Sequence, residues 1–139
     1  MDARDLASYV FEDAGFQLGQ VLQGFPSPAF DQKLNDLEMT PKDTVVHLTE
    51  AYVAGQKQIK GARHSWGTYA ATSDDQDALV ETMKQERAAF WNAAEESGDP
   101  TQYKTAMLYG SNHDYYHVGQ LCTMRRAVDP AWDSDSIYR

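Results

Sequence analysis

The chain has 139 residues, a formal net charge of −9 at neutral pH and one cysteine. This length predicts a single domain, residues 1–139, that can bury one core, and one cysteine excludes an internal disulfide. The acidic balance argues against nucleic acid as a partner, because phosphate backbones select basic surfaces. The N-terminal sequence MDARDLASYVF places charges where a signal peptide needs an apolar run, so we expect a cytoplasmic protein without a membrane span.

The first predicted helix is marked by apolar residues at alternating steps of four and three. They are Ala7, Phe11, Ala14, Leu18, Val21 and Phe25. We expect this helix to end before Pro26, since proline removes a backbone donor. Residues 24–39 then form a long connection with room for one short helical turn, and its Phe30 and Leu34 are candidates to cap the core.

A second helix is predicted over residues 41–60, because Thr40 is a suitable N-cap before a proline in the first turn. Its apolar seam repeats the same spacing, through Val45, Leu48, Tyr52, Gly55 and Ile59. His47 lies beside this seam, on a strip that continues through Ala51 to Gly55. Those two small residues predict open space next to the imidazole, which suits a groove leading to a site.

Residues 62–72 are predicted to be an irregular link, and we expect its His64 to be solvated. The following sequence SDDQ has the capping-box pattern and predicts a third helix that closes on Gly98. Its apolar stripe consists of Leu79, Val80, Met83, Phe90 and Ala94. Glu86 and Arg87 interrupt this stripe, either as a buried polar pair or as one wetter turn near a cleft.

A fourth helix is predicted from Pro100 to about Val128, and two histidines lie on its core-facing stripe. The stripe consists of Tyr103, Ala106, Gly110, His113, His117, Leu121, Met124 and Val128. His113 and His117 are at positions i and i+4, which holds two side chains ~5–6 Å apart at Cβ and directs them the same way. Burying two imidazoles costs free energy unless their nitrogens find partners, and one shared metal ion is the simplest partner.

Four long helices without a strand pattern predict an all-α fold. We expect an antiparallel four-helix bundle, with longer connections between its first and second and between its second and third helices. In such a bundle His47 can meet His113 and His117. Three imidazoles with an open fourth position are typical of a catalytic metal site. The alternative is an empty bundle whose histidines bond only each other and buried water.

Other metal chemistries fit the sequence less well. A ferritin-like di-iron site needs Glu-x-x-His motifs, and no glutamate here is followed three residues later by histidine. The sequence HDYYH has the spacing of the metalloprotease motif, but with aspartate in place of glutamate and no histidine downstream. Cys122 lies roughly 140° around the helix from His117, so we expect it to be a packed small hydrophobe.

The C-terminal pattern HDYYHVGQL, residues 113–121, with the basic pair Arg125-Arg126, and the sequence TVVHL around His47 resemble the DinB family. The resemblance covers essentially the whole chain by length and helix order. It implies a four-helix bundle, a homodimer, and a divalent ion, commonly zinc or nickel, held by His47, His113 and His117. It also implies metal-dependent hydrolases or thiol-dependent transferases and isomerases that use low-molecular-weight thiols such as bacillithiol, mycothiol or glutathione.

A three-histidine ion lowers the pKa of a bound water or thiol toward neutrality. Asp114 is a candidate to orient a neighbouring group, and Tyr116 and Gln120 either bond a ligand or pack and face solvent. Glu50 and Glu86 are remoter candidates, so the catalytic residues stay unassigned. Four small residues are expected to line an entrance to the ion: Ala51, Gly55, Ala106 and Gly110. The alternative function is a non-catalytic metal-binding or stress-response protein.

The homodimer has a separate argument from the sequence. The first and third helices carry large apolar residues in more directions than one core stripe can use. These residues are Tyr9, Phe11, Phe90 and Trp91. A twofold dimer would bury the surplus.

Overall fold

The computed structural model describes residues 1–138, and this range contains helices and no strand. The helices are α1 (Ala3–Leu22), α2 (Ser27–Phe30), α3 (Pro41–Ile59), α4 (Gln76–Glu96), α5 (Thr101–Ala106) and α6 (Asn112–Val128). A π-helical turn, Met107–Ser111, joins α5 to α6, and a 3-10 turn, Ser134–Ile137, follows α6. The all-α prediction is confirmed. Within the described range, no helix has the length and apolar character needed to span a bilayer.

Capping side chains explain where helices α3 and α4 begin. Thr40 Oγ1 accepts a hydrogen bond of 2.9 Å from the backbone N–H of Asp43 at the start of α3, as predicted. At α4 the cap is Asp75, which accepts from the N–H of Ala78 at 2.9 Å. The capping box predicted to begin at Ser73 is therefore wrong, because the N-cap is Asp75, two residues later. Ser73 Oγ instead accepts from the N–H of Asp75.

The predicted seams form the core. Helix α3 packs along α4, and α1 packs along α6. Nearly all of the predicted seam residues of α1, α3 and α4 are buried. Val80 and Ile59 are the exceptions and lie half-buried at the edge of the core. In the connection between α1 and α3, Phe30 is buried, but Leu34 is 41% exposed and does not cap the core.

The expected surplus of apolar side chains is largely absent. Phe11 and Phe90 are buried, with ring centroids 6.3 Å apart in an edge-to-face arrangement. Trp91 packs against Phe11 with centroids 5.1 Å apart. Of the four residues in that prediction only Tyr9 is mainly exposed, at 64%. Because one core accommodates the other three, they give no support to a dimer interface.

The π-helical turn Met107–Ser111 changes which side of the last helix faces the core. A π turn contains more residues than an α turn, so the buried face moves by about one position beyond it. Asp114, which ordinary helical pitch places off the buried stripe, is completely buried, whereas Val128, which we predicted on that stripe, is 45% exposed. His113 consequently lies at the edge of the buried face, and His117 lies within it.

Candidate metal centre

Three histidines from two helices converge at one point. His47 comes from α3, and His113 and His117 come from successive turns of α6. The Nε2 atom of His113 lies 3.0 Å from Nε2 of His47 and 3.0 Å from Nε2 of His117. One nitrogen from each ring lies within 4.8 Å of the other two. The prediction that these residues meet is confirmed, and they could hold a metal ion.

Protons alone satisfy the contacts among these imidazoles poorly, because one N–H of His113 would have to be shared between two neighbours. Nδ1 of His117 lies 2.7 Å from Oε1 of Gln120, so Nδ1 carries the proton and Nε2 presents a lone pair to the cluster. If His113 donates from Nε2 to His117, it has no lone pair left on that atom for His47. A single cation would accept all three lone pairs. Tetrahedral ligands ~2.0–2.1 Å from an ion lie about 3.3 Å apart, close to the two contacts of 3.0 Å that His113 makes.

Burial keeps the three rings neutral. It lowers the pKa of His113 to about 4, and the neighbouring His47 acts in the same direction. Burial and the two adjacent imidazoles lower the pKa of His117 to about 4, and burial also lowers the pKa of His47. At neutral pH all three are therefore in the uncharged form that binds metal ions.

Gln120 sets the orientation of His117. Its amide oxygen accepts from Nδ1 of His117, while its Nε2 donates to Glu38 at 3.0 Å and to the Tyr116 hydroxyl at 3.3 Å. Such a partner fixes the tautomer and the ring angle of a metal-binding histidine. The sequence allows Gln120 and Tyr116 either to bond a ligand or to pack and face solvent. The structure shows Gln120 supporting His117, and Tyr116 63% exposed beside the same ring.

Asp114 supports the helices rather than a histidine. Its carboxylate accepts from the Tyr52 hydroxyl and, at 2.9 Å, from Nε of Arg87. Burial raises the pKa of Asp114, and the charge of Arg87 opposes this effect. Glu86 and Arg87 do not form the polar pair considered above, since Glu86 accepts from Gln56 at 2.7 Å. The turn of α4 that carries Arg87 is not a solvent-exposed turn either, because the side chain of Arg87 is only 11% exposed.

The link after α3 is fastened beside the histidines by Glu50. This buried carboxylate accepts from Nε2 of His64 at 3.0 Å and from the N–H of Gly67 at 2.5 Å. Burial alone would raise the pKa of Glu50, but the bonds from His64 and Gly67 outweigh it and lower the pKa. The prediction of a solvated His64 is wrong, because its side chain is 4% exposed. His64 lies outside the three-histidine cluster.

The route from solvent to the histidines differs from the predicted one. A Cβ on Gly110 would lie 2.6 Å from a Phe11 ring carbon, and one on Gly55 would lie 2.5 Å from the Phe90 ring. Ala51 and Ala106 are completely buried. The small residues therefore accommodate aromatic rings in the core and line no entrance.

An open cleft of about 490 Å³ instead reaches His47 and His113. Its other lining residues, which no sequence pattern had marked as part of the site, are Trp66, Leu108, Tyr109 and Asn112. The available signal was a tryptophan in the link that follows the histidine-bearing helix. A larger groove, about 1010 Å³, lies between α1 and α4 and touches none of the three histidines.

The remaining candidate, Cys122, packs against the core as a half-buried side chain. Burial raises the pKa of its thiol, so it is a poor nucleophile and a poor metal ligand. Comparison of the chain with protein-family models, curated proteins and solved structures gave no match.

Proposed function

We propose that this chain is a divalent-metal protein of the DinB type, in which His47, His113 and His117 hold zinc or nickel. The convergence of three Nε2 atoms, one of them fixed as a lone-pair donor by Gln120, carries the proposal. The four long helical segments are then the antiparallel bundle of that family. Its homodimeric state and its use of a low-molecular-weight thiol belong to the same proposal.

Within this proposal, the protein is a thiol-dependent S-transferase or a hydrolase. A bound divalent ion acts as a Lewis acid and lowers the pKa of a coordinated thiol or water. Within residues 1–138 the cluster contains three potential ligands, and the cleft gives solvent-borne molecules access to His47 and His113. Closed structural sites instead use four protein ligands. An incomplete ligand set that is reached by a cleft supports reactivity over a purely structural ion.

A non-catalytic metal-binding protein is the second candidate. The two buried carboxylates nearest the cluster in sequence, Asp114 and Glu50, are both engaged by other partners. Neither is placed as a free acid or base beside the histidines. An ion held there without turnover, in a binding or stress-response role, is consistent with that arrangement.

Cobalt substitution tests the open coordination position. Protein purified without a histidine tag should bind one Co²⁺ per chain with visible absorption of a four- or five-coordinate ion. Adding 2-mercaptoethanol should produce a sulfur-to-cobalt charge-transfer band, and His117→Ala should abolish it. A spectrum that is insensitive to thiol would indicate a closed shell.

Turnover is tested separately, by screening thiols with electrophiles, and esters alone, on zinc- and nickel-loaded protein. Wild-type rates above those of His117→Ala would support the enzyme. Equal background rates in both proteins would leave the binding role, and failure to take up any divalent ion would overturn both candidates.

A further inference from the structure

The cleft beside the histidines has the size and the lining of a small-molecule site. Its volume of about 490 Å³ falls within the ~300–1,000 Å³ typical of ligand pockets. Trp66 and Leu108 are 53% and 52% exposed there. Single exposed apolar residues are ordinary, but these two share one concavity with two imidazoles.

The charge of the lining selects the kind of ligand. Aspartate, glutamate, lysine and arginine make up 24% of the chain, which has a net charge of −9, yet none of them lines this cleft. Besides the two imidazoles, the residues of the lining that carry a polar group are Asn112, Tyr109 and Trp66, and each of these groups is uncharged at neutral pH. A charged group placed between Trp66 and Leu108 would lose water without gaining a counter-ion. An uncharged apolar group incurs no such cost.

Trp66 is held in position. The two hydrogen bonds of Glu50 fasten His64, two residues before Trp66, and Gly67, which directly follows it. The Trp66 ring meets His64 edge-on, with centroids 5.3 Å apart, and it lies 6.4 Å from His47. The π-helical turn supplies Leu108 and Tyr109 to the same lining. An exposed indole ring held in this way favours a flat ligand, because aromatic faces stack on one another.

We propose that this cleft binds a neutral aromatic or similarly flat apolar group of the ligand, whose reactive end reaches the side of the cluster formed by His47 and His113. This inference deepens the metal proposal by naming the substrate class. The cleft itself is present without an ion, so the two can fail separately.

The first test uses the metal-free protein labelled with ¹⁵N, titrated with benzyl alcohol. The indole Nε1–H signal of Trp66 should shift saturably, while Trp91 and Trp132 serve as internal controls and stay in place. Benzoate, which has a similar ring and a charge, should bind at least tenfold more weakly. No shift at Trp66, equal shifts at all three tryptophans, or equal affinity for benzoate would overturn the proposal.

The second test asks whether one ligand occupies the cleft and binds the ion at the same time. It uses zinc-loaded protein with acetohydroxamate and benzohydroxamate, which share a metal-binding group and differ in carrying a methyl group or a phenyl ring. Benzohydroxamate should bind at least tenfold more tightly. Trp66→Ala should reduce the ratio below threefold without changing acetohydroxamate affinity or zinc content. Leu37→Ala, at a residue that is 94% exposed and outside the cleft, should retain the full ratio.

The outcomes separate the two proposals. If wild-type protein binds both hydroxamates equally, the ligand class is wrong and the open metal position stands. If neither hydroxamate binds although benzyl alcohol still shifts Trp66, the open metal position fails and the cleft stands.

Discussion

The Arg87 guanidinium donates from Nε to one carboxylate oxygen of Asp114 at 2.9 Å, and its Nη2 lies 2.9 Å from the same oxygen. Asp114 directly follows His113, so this ion pair connects α4 to the turn of α6 that carries the histidine. The hydroxyl of Tyr52 binds the same carboxylate from α3. The carboxylate thus joins three helices next to the candidate metal centre.

Replacing Asp114 with alanine should lower the free energy of unfolding by about 3–5 kcal/mol, because it leaves the Arg87 charge buried without its partner. Urea denaturation measures the loss. The double variant Asp114→Leu with Arg87→Met should recover part of it, since neither charge then remains. A single variant within about 1 kcal/mol of wild type would show that the pair contributes little.

Alanine at His47, His113 or His117 should abolish stoichiometric zinc binding, because two ligands hold the ion far more weakly than three. Elemental analysis after dialysis against a weak chelator gives the metal content. His64→Ala is the matched control and should retain one zinc per chain, since His64 bonds Glu50 instead. Zinc lost from the control but kept by His47→Ala would move the third ligand to His64.

Gln120→Leu should weaken zinc binding by about 10–100-fold, because Nδ1 of His117 loses the acceptor that fixes its tautomer. A competition titration with a fluorescent zinc chelator measures the change. Tyr116→Phe removes only a bond to the far side of the same amide and should stay close to wild type. Equal affinities in both variants would mean that Gln120 does not orient the ring.

Gly110→Ala should cost about 1–3 kcal/mol of stability, because the new methyl would lie 2.6 Å from the Phe11 ring in a filled core. Gly119→Ala, in α6 beyond the π-helical turn that holds Gly110, is the control. Nothing lies within 4 Å of a Cβ there, and alanine should stabilise the helix by about 0.5–1 kcal/mol. Thermal denaturation compares the two. A neutral Gly110→Ala would imply that Phe11 moves aside easily.

Glu50→Gln should lower stability near neutral pH, and the difference from wild type should vanish in acid. The folded-state pKa of Glu50 is lowered, so its charge stabilises the fold above the unfolded pKa of about 4.3. That contribution disappears as the pH falls through the folded pKa. Urea midpoints at pH 7 and pH 3 test this. Glu96→Gln, at an exposed position, should show no such dependence.

Local patterns sufficed for the helices and for the histidine cluster. Seams such as Val45 to Tyr52 depend only on helical pitch and burial, and the spacing of apolar residues in the sequence indicates both. The i, i+4 pair of His113 and His117 is likewise local. Only His47 required an assumption about how helices pack, and its position beside an apolar seam supported that assumption.

The surroundings of the cluster could not be predicted in the same way. The buried positions of Asp114 and Arg87 depend on a π-helical turn that no spacing rule announces. The position of Trp66 depends on a hydrogen bond between residues 17 apart, Glu50 and Gly67. Contacts of that kind arise from packing, which periodicity does not report. The small residues next to His47 therefore predicted an open groove, whereas the Phe90 ring occupies the space beside Gly55.

The π-helical turn makes the number of residues between α5 and α6 a determinant of whether the three histidines meet. Deleting any one of the five residues 107–111 would allow ordinary α pitch, and each residue turns a helix by ~100°. Either α6 would rotate and carry His113 and His117 away from His47, or α5 would lose its packing against α1 and α4. Substitutions that keep the count preserve the register, so within this turn a change of length is more harmful than a change of composition.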